Sequence, residues 1–226
     1  MIKPLIPYYL THSPLMSFLV IRLFFILIIL PFGLVIPLRA QENNFINVHF
    51  IHGSKPRKAY KHEEQKWKGG IWGGHVGIEI GANQVIDFKP QGRFHWLAHR
   101  NKRNSVFTIH TQDGFWAYFG IKYEALERTT IQIPISQQQK AMLNSISSQY
   151  TTLSPYDYAF IGMRCASASY DILMRAGLTQ KNARIWYCPK YFYPKRLRKY
   201  LLRKARINHW MVTSHTGNER RKWDKD

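Results

Sequence analysis

A cysteine, a histidine and a carboxylate stand in three separate contexts of this chain, and together they could perform covalent acyl chemistry. Cys165 lies in YDYAFIGMRCASASYDIL, where an aromatic-rich approach gives way to small residues and then to an apolar helical pattern. A thiol at a helix N-terminus is activated, because unpaired backbone N–H groups and the helix dipole stabilise the thiolate. A thiolate still needs a base, and upstream runs GGHVGIEIGANQVIDF. There His75 starts a strand-like alternation, and Asp87 lies near the end of the next one. A hairpin register centred on Gly81-Ala82-Asn83 places His75 and Asp87 on one face. The carboxylate would then fix the imidazole tautomer and leave the other ring nitrogen to take the thiol proton. The plain alternative is a strand-start histidine bonded to backbone. Glu79 is the competing carboxylate. Four residues beyond His75 on one strand, it would stand about 13 Å along at roughly 3.3 Å per residue, too far for contact.

The elements that must position these residues follow from periodicity and punctuation. FINVHFIH over Phe45 to His52 alternates as a strand. The polar stretch from Arg57 to Gly70 reads as a loop or short helix, and the glycine pairs 69–70 and 73–74 permit close backbone approach before the His75 strand. Further strands are expected over Ser105 to His110, Phe115 to Tyr123 and Thr129 to Ile133, the last rich in β-branched residues. Ser136 with Gln139 forms a capping-box pattern that opens a helix ending near Thr151. A second helix is expected from Cys165 to Ala176, with Gly177 as its C-cap. A third runs from Pro194 to about Ile207, with Leu197, Tyr200, Leu201 and Ala205 on one stripe and basic residues around it. Strands come first and helices after, so the fold class is α+β, with an antiparallel sheet of five or six strands.

Composition narrows the setting. Leu23 to Leu38 is apolar, Arg22 precedes it, Leu38-Arg39-Ala40 closes it, and no acidic residue occurs before Glu42. This is the layout of a secretory signal, so residues 1–40 are expected to be a cleaved leader, or a membrane anchor if uncleaved. Residues 41–213 are then the folded domain, and 214–226 a basic polar tail. Without Lys3, Arg22 and Arg39 the chain keeps 33 − 3 = 30 basic residues against 13 acidic ones, a charge of +17. Such a charge attracts polyanions, whether lipid headgroups, cell-wall polymers or nucleic acid. Export argues against nucleic acid. The expected location is the periplasm or cell envelope. The basic helix after Pro194 could also lie on a membrane surface. Two cysteines in an oxidising compartment default to a disulfide, but Cys165 opens a helix whereas Cys188 sits in the aromatic loop IWYCPKYFYP. The two are therefore expected to stay unbonded.

Other motifs fall short. His52-Gly53-Ser54 has the look of a hydrolase oxyanion loop, yet no G-x-S-x-G elbow accompanies it. His62-Glu63-Glu64 begins like a zincin helix without the second histidine. His95 and His99, four apart, could share a metal on a helix, but no third ligand is evident. No cofactor or metal is called for.

The pattern G-H-V-G-I-x-I-G, a V-I-D-F strand, and then Tyr-x-Tyr followed by Cys-A-S-A-S at a helix start resembles the circularly permuted papain-like amidases. These are the YiiX/YaeF-like branch of the NlpC-type superfamily, with lecithin retinol acyltransferase and its relatives as cousins. The resemblance covers about a fifth of the chain. It implies a permuted papain-like, NlpC-like fold in which histidine precedes cysteine, with Cys165 as nucleophile, His75 as base and Asp87 as the third polar residue. Arg164 departs from the Asn that many relatives carry before the cysteine. It could favour the thiolate, bind a substrate carboxylate or face solvent. Arg164 and Tyr158 are the candidate substrate-binding residues. The expected function is an exported thiol hydrolase cleaving a cell-wall peptide amide or a lipid acyl ester. The alternative is a non-catalytic basic binding protein of the envelope surface.

Overall fold

Alternating apolar residues build a sheet with two unlike faces, and the candidate residues gather at one of its ends. The computed structural model describes residues 44–63, 73–93, 95–99, 104–120, 122–180 and 191–225. The expected leader and Cys188 lie outside the described residues. Strands β1 (Phe45–His52), β3 (Gly74–Gly81), β4 (Gln84–Pro90), β6 (Ser105–His110), β7 (Arg128–Pro134) and β9 (Val212–His215) form a six-stranded antiparallel sheet in the order β6-β4-β3-β1-β7-β9. Two small ribbons pair β2 (Ser54–Pro56) with β10 (Arg221–Trp223), and β5 (His95–Leu97) with β8 (Ala159–Ile161). The expected mixed α and β architecture and six-stranded antiparallel sheet are therefore present.

Cross-strand register makes the division of faces. Val48 lies opposite Ile78, Ile78 opposite Ile86, and Val48 opposite Ile131. Together with Phe50, Val76, Phe88, Phe107 and Ile133 they form one buried apolar layer. Helices α2 (Gln137–Thr152), α3 (Cys165–Arg175) and α4 (Pro194–Asn208) share that core through Leu143, Ile172, Leu197 and Leu201. The opposite face presents Ile51, Gly77, Val85 and Asp87. It is covered by the short helix α1 (Gln112–Trp116), whose Phe115 and Trp116 form a second core with Ile51, Val85 and Leu126. Gly77 is required there, since an added Cβ would lie 2.7 Å from the Phe115 ring. Gly74, at φ +83°, is tighter still, because a Cβ would come 2.0 Å from the Ile51 carbonyl oxygen.

Local signals explain the helices. Ser136 Oγ accepts from Gln139 N–H at 3.1 Å while Gln139 Oε1 accepts from Ser136 N–H at 2.9 Å, the reciprocal cap read from sequence. Helix α3 ends as expected, with Gly177 at φ +74° and Leu178 N–H donating to the Leu173 carbonyl at 2.8 Å.

Two expectations are corrected. The described residues of the segment Phe115 to Tyr123 form no strand. Thr111 caps α1 by accepting from Gly114 N–H, and 3₁₀ turns follow over Ala117–Phe119 and Tyr123–Ala125. A short aromatic run carries no decisive period, and here its rings close the second face of the sheet. The expected basic polar tail, 214–226, carries strand pairing among its described residues. Residues 212–215 extend the main sheet along β7, and Arg221–Trp223 pair with β2. Buried Arg221 donates to Ser54 Oγ at 2.8 Å, and buried Asp224 lies 3.3 Å from Arg198. Polar composition hid these anchors because their partners are more than twenty residues distant. Among the described residues, no helix is long and apolar enough to cross a membrane.

Candidate active site

The β3–β4 hairpin turns through Ala82 and Asn83, with Gly81 still in the strand rather than in the expected three-residue connection, and Asn83 stands at φ +55°. Its ladder sets Gly77 opposite Asp87 and Ile78 opposite Ile86, with a bulge between Glu79 and Gly81. His75 thus stands diagonally across from Asp87 on one face, within reach of a long side chain. His75 Nε2 lies 2.6 Å from Asp87 Oδ2, and both residues are buried, at 3% and 1% exposure. Glu79 is elsewhere. It accepts from Asn47 Nδ2 at 2.7 Å and lies 3.3 Å from His49 Nε2, which together hold its carboxyl below the usual range.

Cys165 arrives from the other side of the sheet. It is the first residue of α3, whose helix packs on the opposite face, and it meets His75 where β3 begins and β4 ends. The thiol is free and 4% exposed, and Cys165 and His75 line one pocket. Asp87 holds Nε2, which leaves Nδ1 as the ring nitrogen available to a thiol. Burial alone would lower the His75 pKa, but the hydrogen bonds to Asp87 and Cys165 and their charges outweigh it, raising it to about 9. At neutral pH the ring therefore carries a proton on each nitrogen. The Nε2 proton is directed at the Asp87 carboxylate.

A pocket of about 300 Å³ opens over Cys165 and His75, lined among others by Gly74, Tyr118, Tyr158, Arg164, Phe192 and Tyr193. Both residues expected to bind substrate are thus at the site. Tyr158, partly buried, lines the pocket with Cys165, and burial first and then the neighbouring Cys165 push its pKa well above the usual value. It remains an O–H donor beside the sulfur. The Arg164 guanidinium does not project into solvent. It stacks over Phe192 at 4.1 Å and Phe160 at 4.7 Å. Its backbone N–H donates to Ser167 Oγ at 2.8 Å, which fixes the first turn of α3 beneath the thiol.

Three further residues belong to the site and were not singled out from sequence. Tyr118 lies flat on the His75 ring, with centroids 4.0 Å apart and planes 6° from parallel. His110, on β6, brings Nε2 within 3.3 Å of Asp87 Oδ1, so the carboxylate stands between two imidazoles. Its signal was parity: Asp87 faces Thr108 across the ladder, and His110 is the next residue along on that face. Asp157, a buried carboxylate, accepts from His95 Nδ1 and from the backbone N–H groups of His99 and Asn104 at 2.7–2.8 Å. It ties His95, His99 and Asn104 to the approach to Cys165.

The remaining motifs have structural uses. His95 is on a strand rather than a helix and is bonded to Asp157. Among the described residues, no cluster of three His, Cys, Asp or Glu side chains could hold a metal ion. His52 sits between Thr129 and the C-terminal strand, 2.9 Å from Thr129 Oγ1 and 3.2 Å from the Asp224 carbonyl oxygen. Glu63 forms an exposed pair with Arg220 at 3.4 Å.

No protein-family model matches the chain, and no curated protein or solved structure was found to match it.

Proposed function

We propose that this chain is a thiol hydrolase of permuted papain-like architecture, acting on an amide or ester carbonyl. The observation that carries the reading is the 2.6 Å contact between His75 Nε2 and Asp87 Oδ2, with Cys165 in the lining of the same pocket as the ring. A cysteine beside a protonated histidine reacts as the thiolate. In the proposed cycle the Cys165 sulfur attacks the carbonyl carbon, and the backbone N–H of Cys165 and the Tyr158 hydroxyl are placed to meet the developing oxyanion. His75 gives its Nδ1 proton to the departing amine or alcohol, leaving a thioester on Cys165. Neutral His75 then takes a proton from water, the hydroxide attacks the thioester, and the carboxylic acid leaves as the thiolate returns. Asp87 holds the tautomer and offsets the imidazolium charge throughout. The proposed setting is the cell envelope after export, with a cell-wall peptide or a lipid acyl group as substrate.

The test is acylation by an activated ester, followed by intact-mass spectrometry. A stoichiometric acyl adduct on Cys165 is expected, lost in Cys165→Ala and strongly slowed in His75→Ala. The reading fails if His75→Ala reacts as fast as the unaltered chain. A non-catalytic envelope-binding protein is the second reading, favoured by the basic cleft described next.

A further inference from the structure

We propose that the cleft between the start of α4 and the C-terminal strand is a binding site for a phosphate-bearing group. Its placement makes that group part of the substrate presented to Cys165, an extension that rests on the hydrolase reading. The cleft has a volume of about 1020 Å³, the scale of a small-molecule site. Six exposed or half-exposed cations line it: Arg57, Lys195, Arg196, Lys199, Lys222 and Lys225. Three carboxylates also line it, and two of them are engaged with the interior. Asp224 is buried against Arg198, and Glu127 lies 3.2 Å from His52 Nδ1. Only Glu219 remains to answer six cations, and none of the six makes an ion pair among the described residues.

Fold stability does not account for this arrangement. Lys195, Arg196 and Lys199 occupy the first turns of α4, where the helix dipole is positive and no acidic residue precedes or joins them. Cations are disfavoured at that end, and they also repel one another across the cleft. A segment that breaks a local rule without internal compensation marks a functional position. A single carboxylate would need one arginine, whereas this excess suits a group carrying two or more negative oxygens. Phosphate accepts from Lys and Arg together, bidentately from the latter.

Position ties the cleft to the chemistry. Tyr193 lines both the cleft and the thiol pocket, Pro194 lines the pocket, and Lys195 lines the cleft. A substrate with its phosphate against Lys195 and Lys199 would thus pass Tyr193 and bring an adjoining acyl carbonyl toward Cys165. The cations would act on binding rather than on bond breaking.

The experiment is titration calorimetry of the full chain with inorganic pyrophosphate at about 0.15 M ionic strength, where distant charges are screened. The triple variant Lys195→Gln, Arg196→Gln, Lys199→Gln is compared with Arg203→Gln, Lys204→Gln, Arg206→Gln. The second set removes the same charge from the far half of the same helix. The first should weaken pyrophosphate at least tenfold and the second less than threefold. Lys199→Glu alone serves if the triple variant does not fold, and it should weaken binding by a similar factor. Equal losses in the two triples, or no binding by the unaltered chain, overturn the proposal. Phosphatidylcholine vesicles with and without phosphatidylglycerol are then added as competitors. Displacement by the anionic vesicles alone assigns the phosphate to a lipid headgroup, and lack of displacement assigns it to a free phosphate compound. Both support the shared chemistry. Binding does not need the thiol, so its loss with Cys165 still reactive removes this inference alone. An inert Cys165 with binding intact removes the hydrolase reading alone.

Discussion

Replacing Asp87 by Asn should destabilise the protein by an amount that depends on pH in a fixed direction. The substitution keeps the shape of a side chain that is 1% exposed and removes its charge. In the folded chain the His75 pKa is raised from 6.5 to about 9. A raised histidine contributes stability that is fully present below its unfolded pKa and is lost as pH rises through the folded value. At 1.36 kcal/mol per unit the whole shift corresponds to about 3 kcal/mol. The Asp87 hydrogen bond is the foremost of the contributions that raise it, ahead of Cys165. Its share is therefore on the order of 2 kcal/mol, within the range of charge-assisted hydrogen bonds. Asp87→Asn should cost that much at about pH 6, and at about pH 10, where His75 is neutral in both proteins, only a small part of it. Urea unfolding of the two proteins at both pH values measures the difference. A penalty that is the same at both would refute the claim that Asp87 stabilises an imidazolium. The same variant should slow acylation of Cys165 by about 10²–10⁴-fold at neutral pH, and Glu79→Gln should change it little.

Gly74→Ala should destabilise by about 3 kcal/mol or more, since φ +83° already costs an L-residue 1–2 kcal/mol and the Ile51 carbonyl occupies the space; chemical denaturation reads it directly. His110→Leu should lower kcat several-fold with little change in KM, because it frees Asp87 Oδ1 without touching the pocket lining; steady-state kinetics on any accepted ester separates the two. Tyr118→Leu should lower the His75 pKa by about half a unit to one unit through loss of the ring stacked on the imidazolium, which NMR titration of the His75 ring would follow; an unchanged value would count against that contact.

Much of the site was legible because it is built from local signals. Cys165 at a helix start, Gly177 at that helix's end, the Ser136 cap and a hairpin turn within Gly81-Ala82-Asn83 each rest on neighbours a few positions apart. The strict period of two in β3 and β4 put His75 and Asp87 on one face and carried Glu79 away along it. What periodicity could not reach were contacts between distant segments. Phe115 and Trp116 read as strand because an aromatic run fits a strand or a short helix equally, and only the uncovered second face of the sheet chose between them. The last residues read as a polar tail because β10 finds β2 across more than 150 positions. His110 looked like any strand-end histidine until β6 was laid beside β4. The sequence by itself thus determined the candidate residue types, the elements that carry them and the face each occupies, since those depend on spacing along the chain. Tertiary structure alone decided that Cys165 reaches past the sheet's end to His75, that Tyr118 covers the ring, and that basic residues far apart in the chain converge on one cleft. Those outcomes depend on which segments pack together, and no local period records that.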